Sequence, residues 1–479
     1  MTKITYLKRF TSATVVTQFV NMITAVLLRN LLGPINMGVW SLMQVFMNYA
    51  KFSSLGTHES LSREVPYLLG RNELDKAQRV QNSVLNYSLL SSLFMTFGVF
   101  IYLLIRKNSI DASVYVFMFA TVLLIPAQRF GNVLIVVLRG RGEFGVATRQ
   151  MIFSAIFNGF CVCIGAYYFG MQGFIAGTFL SLMFTPIYIL LSKKIVWNIQ
   201  VDWGVVISSI KYGSPIMIAG LLDAVFINLD RMVIAKHLGF YELGLYSLSV
   251  MTAGYISIIP NAFSVVMIPS LHAVFGKNPT SATCIDYARK WLRLHLIVIP
   301  PMVMILWMFL SEAVKLLLPE YVGGVRAAQY FVFGAYFFAL SMSYINIIVV
   351  QRKQVYLIAV SVATIVLAML FNFIAIKQHM GIEGIALATS LANMFKFLMV
   401  FCISQKMTMT YREALIQFGF IIAESLLLFA CCLISRDHNW YSHPAFYLTL
   451  MAQIVFLYCA SVYLSKPSTQ NTVIKSEGV

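Results

Sequence analysis

Charge is scarce in this chain, and acid is scarcer than base. Lysine and arginine number 35 against 18 aspartates and glutamates, and charged residues fill only 11% of the 479 positions. A soluble domain carries roughly a quarter charged residues. No polar stretch is long enough to build one, which excludes the soluble domains a chain of this length would otherwise contain. Cysteine is sparse too. Cys161, Cys163, Cys284, Cys402, Cys431, Cys432 and Cys459 lie mostly in apolar runs, without the paired spacing of a zinc site. They read as small apolar residues, with a Cys431-Cys432 redox pair as the alternative. There is no nucleophile elbow, phosphate loop or metal motif. The outer connections are also too short for a catalytic domain, which argues against a membrane polymerase or glycosyltransferase.

What is present is hydrophobic. Apolar residues make up 59% of the chain and the mean hydropathy is +0.79. A bilayer core needs about twenty mainly apolar residues per helix. On that measure about fourteen spans are expected: 10–32, 36–57, 81–105, 113–138, 149–169, 172–193, 212–236, 243–268, 291–317, 327–351, 354–377, 382–404, 414–435 and 444–465. The first follows Lys3, Lys8 and Arg9, but at about twenty residues it exceeds a signal-peptide core, so it reads as a retained helix. Basic residues mark alternate connections, such as Arg63, Arg71, Lys76 and Arg79, then Arg139, Arg141 and Arg149. The positive-inside rule then places both termini in the cytoplasm. The formal charge of +17 needs no nucleic acid; it is a topology signal facing anionic lipid.

The chain also repeats itself. The pattern L-G-x4-G-x-[WY]-S-L at Leu32–Leu42 recurs at Leu238–Leu248, an offset of 206. A second pattern, G-x-x-G-x4-T, occurs at Gly170–Thr178 and again at Gly381–Thr389, an offset of 211. Six spans per copy is an even number, so the copies share one membrane orientation. Parallel repeats of this kind occur in transporters, with the substrate site near the midplane between them. The expected fold is all-α: a six-helix lobe at 1–200, a second at 201–408, and two extra helices with a cytoplasmic tail at 409–479.

These turns, together with Leu229-Asp230-Arg231-Met232 in the seventh span, resemble the polysaccharide transporter family of the multidrug/oligosaccharidyl-lipid/polysaccharide exporter superfamily. The resemblance implies a flippase for undecaprenyl-pyrophosphate-linked oligosaccharide repeat units, the precursors of O-antigen, capsule or exopolysaccharide. It would work by alternating access in a bacterial inner membrane, beside a polysaccharide polymerase and a chain-length regulator. The alternatives are a cation-coupled multidrug exporter of the same superfamily and a lipid II-type flippase. No cofactor or metal is implied.

Charges inside spans are functional candidates, because hydrocarbon penalises them. Arg129, deep in the fourth span, suits a pyrophosphate through its bidentate guanidinium; a structural ion pair is the competing reading. Asp223 and Asp230 lie seven residues apart, on one helix face. At offset 206 they match Thr17 and Thr24, where Asn21 shares the face, so both first helices of the repeats are expected to line a cavity. Coupling to protons or cations is an alternative use for the two acids, and interhelical hydrogen bonding is a third. Lys51 and Arg231 are weaker candidates that could snorkel to an interface. Lys396 and Glu424 are further charges in the twelfth and thirteenth spans. The acids of the first half, Glu59, Glu64, Glu73, Asp75, Asp111 and Glu143, all fall in expected loops, which favours an anionic cargo.

Overall fold

A computed structural model describes residues 3–107, 112–192, 195, 197–277, 281–351, 353, 355–408, 411–434, 447, 451–458 and 462. Among these the regular structure is entirely helical. The chain divides into two compact units, Met1–Gly244 and Leu245–Val479.

The first unit opens with α1 (Lys3–Ala50), whose 48 residues would span about 72 Å if straight, more than twice a bilayer core. It is not straight. Gly33 adopts φ 70°, ψ 173°, with Pro34 next. Only glycine takes such a backbone at little cost, and proline cannot donate the helix bond that would carry the axis on. The first two expected spans are therefore two limbs joined at Gly33. After Ala50 come a 3-10 turn, Lys51–Ser54, and positive φ values at Leu55 and Gly56. The helix α2 (Thr57–Gly70) then continues where the sequence suggests a loop.

Next are α3 (Leu74–Arg106), α4 (Ala112–Phe119), α5 (Thr121–Gly140) and α6 (Phe144–Leu191). The fourth expected span is thus split at Ala120. α6 repeats the device of α1, reversing at Gly170 (φ 57°). A methyl placed on Gly165 would lie 2.2 Å from the Gly173 carbonyl oxygen, and one on Gly177 2.4 Å from that of Cys161. The two limbs are antiparallel and touch backbone to backbone, as small residues permit in membranes. Leu61, Val84, Leu134, Val137, Leu138 and Ile189 form a dry core among α2, α3, α5 and α6. The unit closes with α7 (Trp203–His237) and the first residues of α8 (Phe240–Lys277).

The second unit holds the rest of α8, α9 (Ser281–Leu317), a 3-10 turn at Pro319–Gly324, and α10 (Val325–Val350). It continues with α11 (Val355–Lys377), α12 (Gly381–Thr408) and α13 (Tyr411–Ile434). Residues 451–458 are helical as well. The last expected span, 444–465, lies mostly outside the described residues, as do Lys193, Lys194, Arg352, Arg436 and the C-terminal tail. Nothing is described of the side chains of Lys3, Lys8 and Arg9 either. The core runs through α9, α10, α12 and α13, with Leu296, Leu340, Tyr344, Phe397, Phe401 and Leu428 among its members.

Among the described residues eight stretches are long and apolar enough to cross a bilayer, among them the doubled Ala13–Ser54 and Phe144–Leu191. The chain is a multi-pass membrane protein. Several helices overrun their expected spans, and mainly at one end. α3, α7 and α9 start well before residues 81, 212 and 291, and α8 ends well after 268. These overruns carry basic residues such as Lys76, Arg79, Arg289 and Lys290. Hydropathy marks the apolar stretches, whereas the helices continue past them into basic segments.

Candidate functional site

Arg129 lies in the middle of α5 and is 2% exposed. Its Nη2 approaches Nε2 of His58 at 3.5 Å, and the same nitrogen is 2.9 Å from Ser88 Oγ on α3. Guanidinium can only donate, so His58 offers Nε2 as the acceptor. The Nε of Arg129 is buried with no hydrogen-bond partner. A buried guanidinium N–H without a partner is unfavourable unless something else can occupy it.

The charges around it are mixed. Lys51 faces Arg129 with like charge, whereas Glu59 is attracted to it. Glu59 forms no ion pair with it, and Glu59 Oε2 is itself buried without a hydrogen bond. Here the structure corrects the sequence reading. Glu59 and Glu64 are on α2 and Asp75 is on α3, not in loops, while Glu73 and Glu143 sit at helix N-termini. Asp111 lies outside the described residues. Glu59 therefore does not count among loop acids remote from the spans, since it stands close to the best cation.

Lys51 is exposed in the 3-10 turn and donates to Asn48 Oδ1 at 3.0 Å. Asn48 Nδ2 meets Asn228 Oδ1 of α7 at 3.5 Å, and Asn228 in turn donates to the Ala224 carbonyl at 2.8 Å. A polar chain thus runs from the break after α1 to the last third of α7. Asp230 and Arg231 flank this point, both buried, so Arg231 does not reach out to an interface. Asp223, two turns earlier, is half-buried.

The expected stripe on α1 divides. Thr24 is buried, donates to the Val20 carbonyl at 2.9 Å and lies against Gly159 of α6. Asn21 is exposed, and Thr17 Oγ1 is buried without a partner. In the second unit Lys396 is buried with its Nζ 5.9 Å from the Phe338 ring centroid.

His58, Ser88, Asn48 and Asn228 do not stand out in the sequence. His58 falls one residue beyond the expected end of the second span, where a histidine two residues after Gly56 looks like a loop residue. The signal is the Leu-Gly pair before it: a helix interrupted by positive φ and then resumed aims its new first turn inward.

Several basic turns outside the spans are well tied. Arg141 donates to Gln81 Oε1 at 2.6 Å and also to Gln78. Glu73 pairs with Lys76 at 2.8 Å and Arg71 at 3.4 Å. The Lys76 hydrogen bond holds the Glu73 carboxyl below the usual carboxylate range.

Comparison with known proteins gives a family and a fold. A family model described as polysaccharide biosynthesis protein matches residues 26–321. A search among curated proteins finds no match. Among solved structures, the chain resembles an inward-facing multidrug resistance MATE family transporter of the MOP superfamily. The TM-score is 0.70 at 14% identity, covering 84% of this chain and 98% of that one. It also resembles an outward-facing MATE structure, with TM-score 0.60, 16% identity and coverage of 84% and 95%. A third is a MOP superfamily transporter from Pyrococcus furiosus, with TM-score 0.63, 14% identity and coverage of 84% and 95%. At these identities the likeness is one of fold.

Proposed function

Because the chain belongs to the polysaccharide biosynthesis protein family, we propose that it is a flippase for polyprenyl-pyrophosphate-linked oligosaccharide repeat units. The cargo would be O-antigen, capsule or exopolysaccharide precursors, and the membrane the bacterial inner membrane with both termini in the cytoplasm. Two lobes, at 1–200 and 201–408, rock around a midplane site, and residues 409–479 are an appendage.

The observation that carries this reading is Arg129. It is buried in the membrane-spanning part of the chain, has an unpartnered Nε, and makes no ion pair among the described residues. A phosphate oxygen is the ligand that guanidinium fits best. Lys51 is the cation that would meet the outer edge of the same anion. Asp223, Asp230, Arg231 and Asn21 are the polar groups that would line the sugar path. The Pyrococcus furiosus transporter is described as having a binding pocket of reverse polarity, which suggests a different function for it. A transporter of this fold can therefore differ in pocket polarity from its drug-exporting relatives, as a cationic site here requires.

In the mechanism, the headgroup enters an inward-open cavity. The pyrophosphate takes the free Nε–H of Arg129, and the nearby Glu59 carboxylate gives way to it. The polyprenyl tail stays in lipid while the lobes rock and expose the sugar outside. The test is surface polysaccharide in cells whose own copy is replaced by Arg129→Ala or Arg129→Lys. Both variants should remain in the membrane and lose export, since lysine keeps the charge but not the planar fork. Normal polysaccharide from Arg129→Ala removes the arginine from the site. Accumulation of a cationic drug in cells lacking the protein would favour the exporter reading instead.

A further inference from the structure

The appended helix α13 carries an acid that the transport site does not use. Glu424 is 0% exposed. It sits ~20 Å along α13 from Tyr411 and ~15 Å from Ile434, near the middle of a crossing. Its Oε1 accepts from Gln453 Nε2 at 3.1 Å, and its Oε2 is buried with no hydrogen-bond partner. No lysine, arginine or histidine pairs with it among the described residues. Among the described residues an ionisable group within electrostatic range of it is Tyr336 of α10, whose buried hydroxyl stands beside Ser425 of α13. Of the other titratable groups on the packed elements, Lys396 lies over Phe338, and His295 is turned to the Trp291 carbonyl and Ser343.

An ionised carboxylate in that setting has no compensating charge, and hydrocarbon penalises it heavily. An amide donor such as Gln453 accepts either form, so the pair does not require the charge. Glu424 is also not isolated from other polar groups. Gln417 lies seven residues before it on the same face of α13, and Tyr344 lies eight residues after Tyr336 on the same face of α10. Tyr344 donates to Gln417 Oε1 at 3.1 Å, and the Nε2 of Gln417 is buried and unpartnered. A line of buried polar groups therefore follows the α10–α13 seam for two helical turns, with Glu424 at its inner end.

We propose that Glu424 is a reversible proton-binding site, reached along the polar seam between α10 and α13. Its proton is held while the seam is closed and is exchanged when α13 moves off α10 and water enters. The ligand is a proton and not a metal ion, because the acid is single and no group of three His, Cys, Asp or Glu residues that could hold a metal ion is found among the described residues. The assignment does not depend on what the transporter carries.

The experiment uses the full-length protein in liposomes and the carbodiimide dicyclohexylcarbodiimide. A protonated carboxyl adds across one C=N bond of this reagent. Its oxygen bonds to the central carbon, its proton passes to nitrogen, and nothing leaves. The expected result is one adduct on the peptide containing Glu424, formed more slowly as pH rises and absent from Glu424→Gln. Infrared spectra should show a protonated-carboxyl C=O band that Glu424→Gln removes, and Gln453→Ala should shift that band. If the glutamine variant does not fold, the pH dependence of labelling and of the band in the unmodified protein decides alone. No adduct in the folded protein, labelling that ignores pH, or no carboxylic-acid band at any pH would each overturn the proposal. Glu424 would then be only a clasp for Gln453.

Discussion

Gly38 and Gly244 are equivalent residues of the repeat, and each is shaped to the other's turn. A methyl on Gly38 would fall 1.9 Å from the Phe240 carbonyl oxygen, and one on Gly244 1.8 Å from that of Pro34. Pro34 and Phe240 are themselves related by the offset of 206. The contact is therefore reciprocal, as a two-fold relation between copies of one motif requires. Neither position has room for a side chain, because the obstacle is backbone. Gly38→Ala and Gly244→Ala should each destabilise the protein by about 1–3 kcal/mol, the usual cost of overpacking. Thermal unfolding in detergent measures this, and an unchanged midpoint for both would mean that the helices separate freely.

The turn signatures explain why so much of the fold was legible. Gly33, Gly239, Gly170 and Gly381 open the four motif copies, and all four have positive φ. The conformation demands glycine, so the sequence shows the reversal directly. Arg129 was legible for a similar reason, being a charge in an apolar run. His58 and Glu59 were not, because hydropathy sees α2 as the end of a span. The helix there buries Thr57, Ser60, Leu61 and Val65, and it also carries Glu59, whose Oε2 is buried, while Arg63 is exposed. The reach of helices beyond the hydrocarbon was hidden by the same measure.

A second glycine pair makes a contrasting prediction. Gly56 has φ 89°, and a methyl on it would lie 2.3 Å from the Gly213 carbonyl carbon; one on Gly213 would lie 1.8 Å from Gly56 O. Gly213→Ala should disturb the approach of α2 to α7 and lower both stability and export. Gly98, inside α3, has nothing within 4 Å of an added methyl. Gly98→Ala should instead stabilise by about 0.5–1 kcal/mol through helix propensity. Equal effects from the two substitutions, read as thermal midpoints, would refute the packing argument.

His58 is expected to act through Arg129. It supplies an acceptor at 3.5 Å and is itself fixed by Ser88 at 2.9 Å. His58→Ala removes a hydrogen bond to a charged group, worth about 1.5–3 kcal/mol, which corresponds to roughly 10–100-fold in binding. His58→Gln keeps an acceptor and should retain much of the function. Surface polysaccharide at matched protein level checks both. If alanine and glutamine behave alike, the imidazole does not position the arginine.

The link between α6 and α7 offers the cleanest structural test, because one side chain bonds three of its described residues. Asn86 of α3 donates from Nδ2 to the carbonyls of Asn198 and Gln200, both at 2.9 Å, and accepts the Trp197 indole N–H at 3.0 Å. One turn earlier, Ser83 Oγ accepts the backbone N–H of Asp202 at 3.0 Å. Asn86 therefore fixes both the backbone and the anchoring ring of the connection. Asn86→Ala leaves the indole N–H without its partner and two carbonyls to water. Each group left buried and unsatisfied costs about 1–3 kcal/mol, so the segment should come off α3 before the helices unfold. Limited proteolysis of the folded protein should then cut between Trp197 and Asp202 in Asn86→Ala at protease levels that leave the unmodified chain intact. Asn86→Asp keeps the acceptor for Trp197 but loses both donated bonds, so its cleavage should fall between the two. If Asn86→Ala is cut no faster than the unmodified protein, the linker is held by Ser83 and by the packing of Trp197 on Phe130, whose ring centroids are 5.3 Å apart.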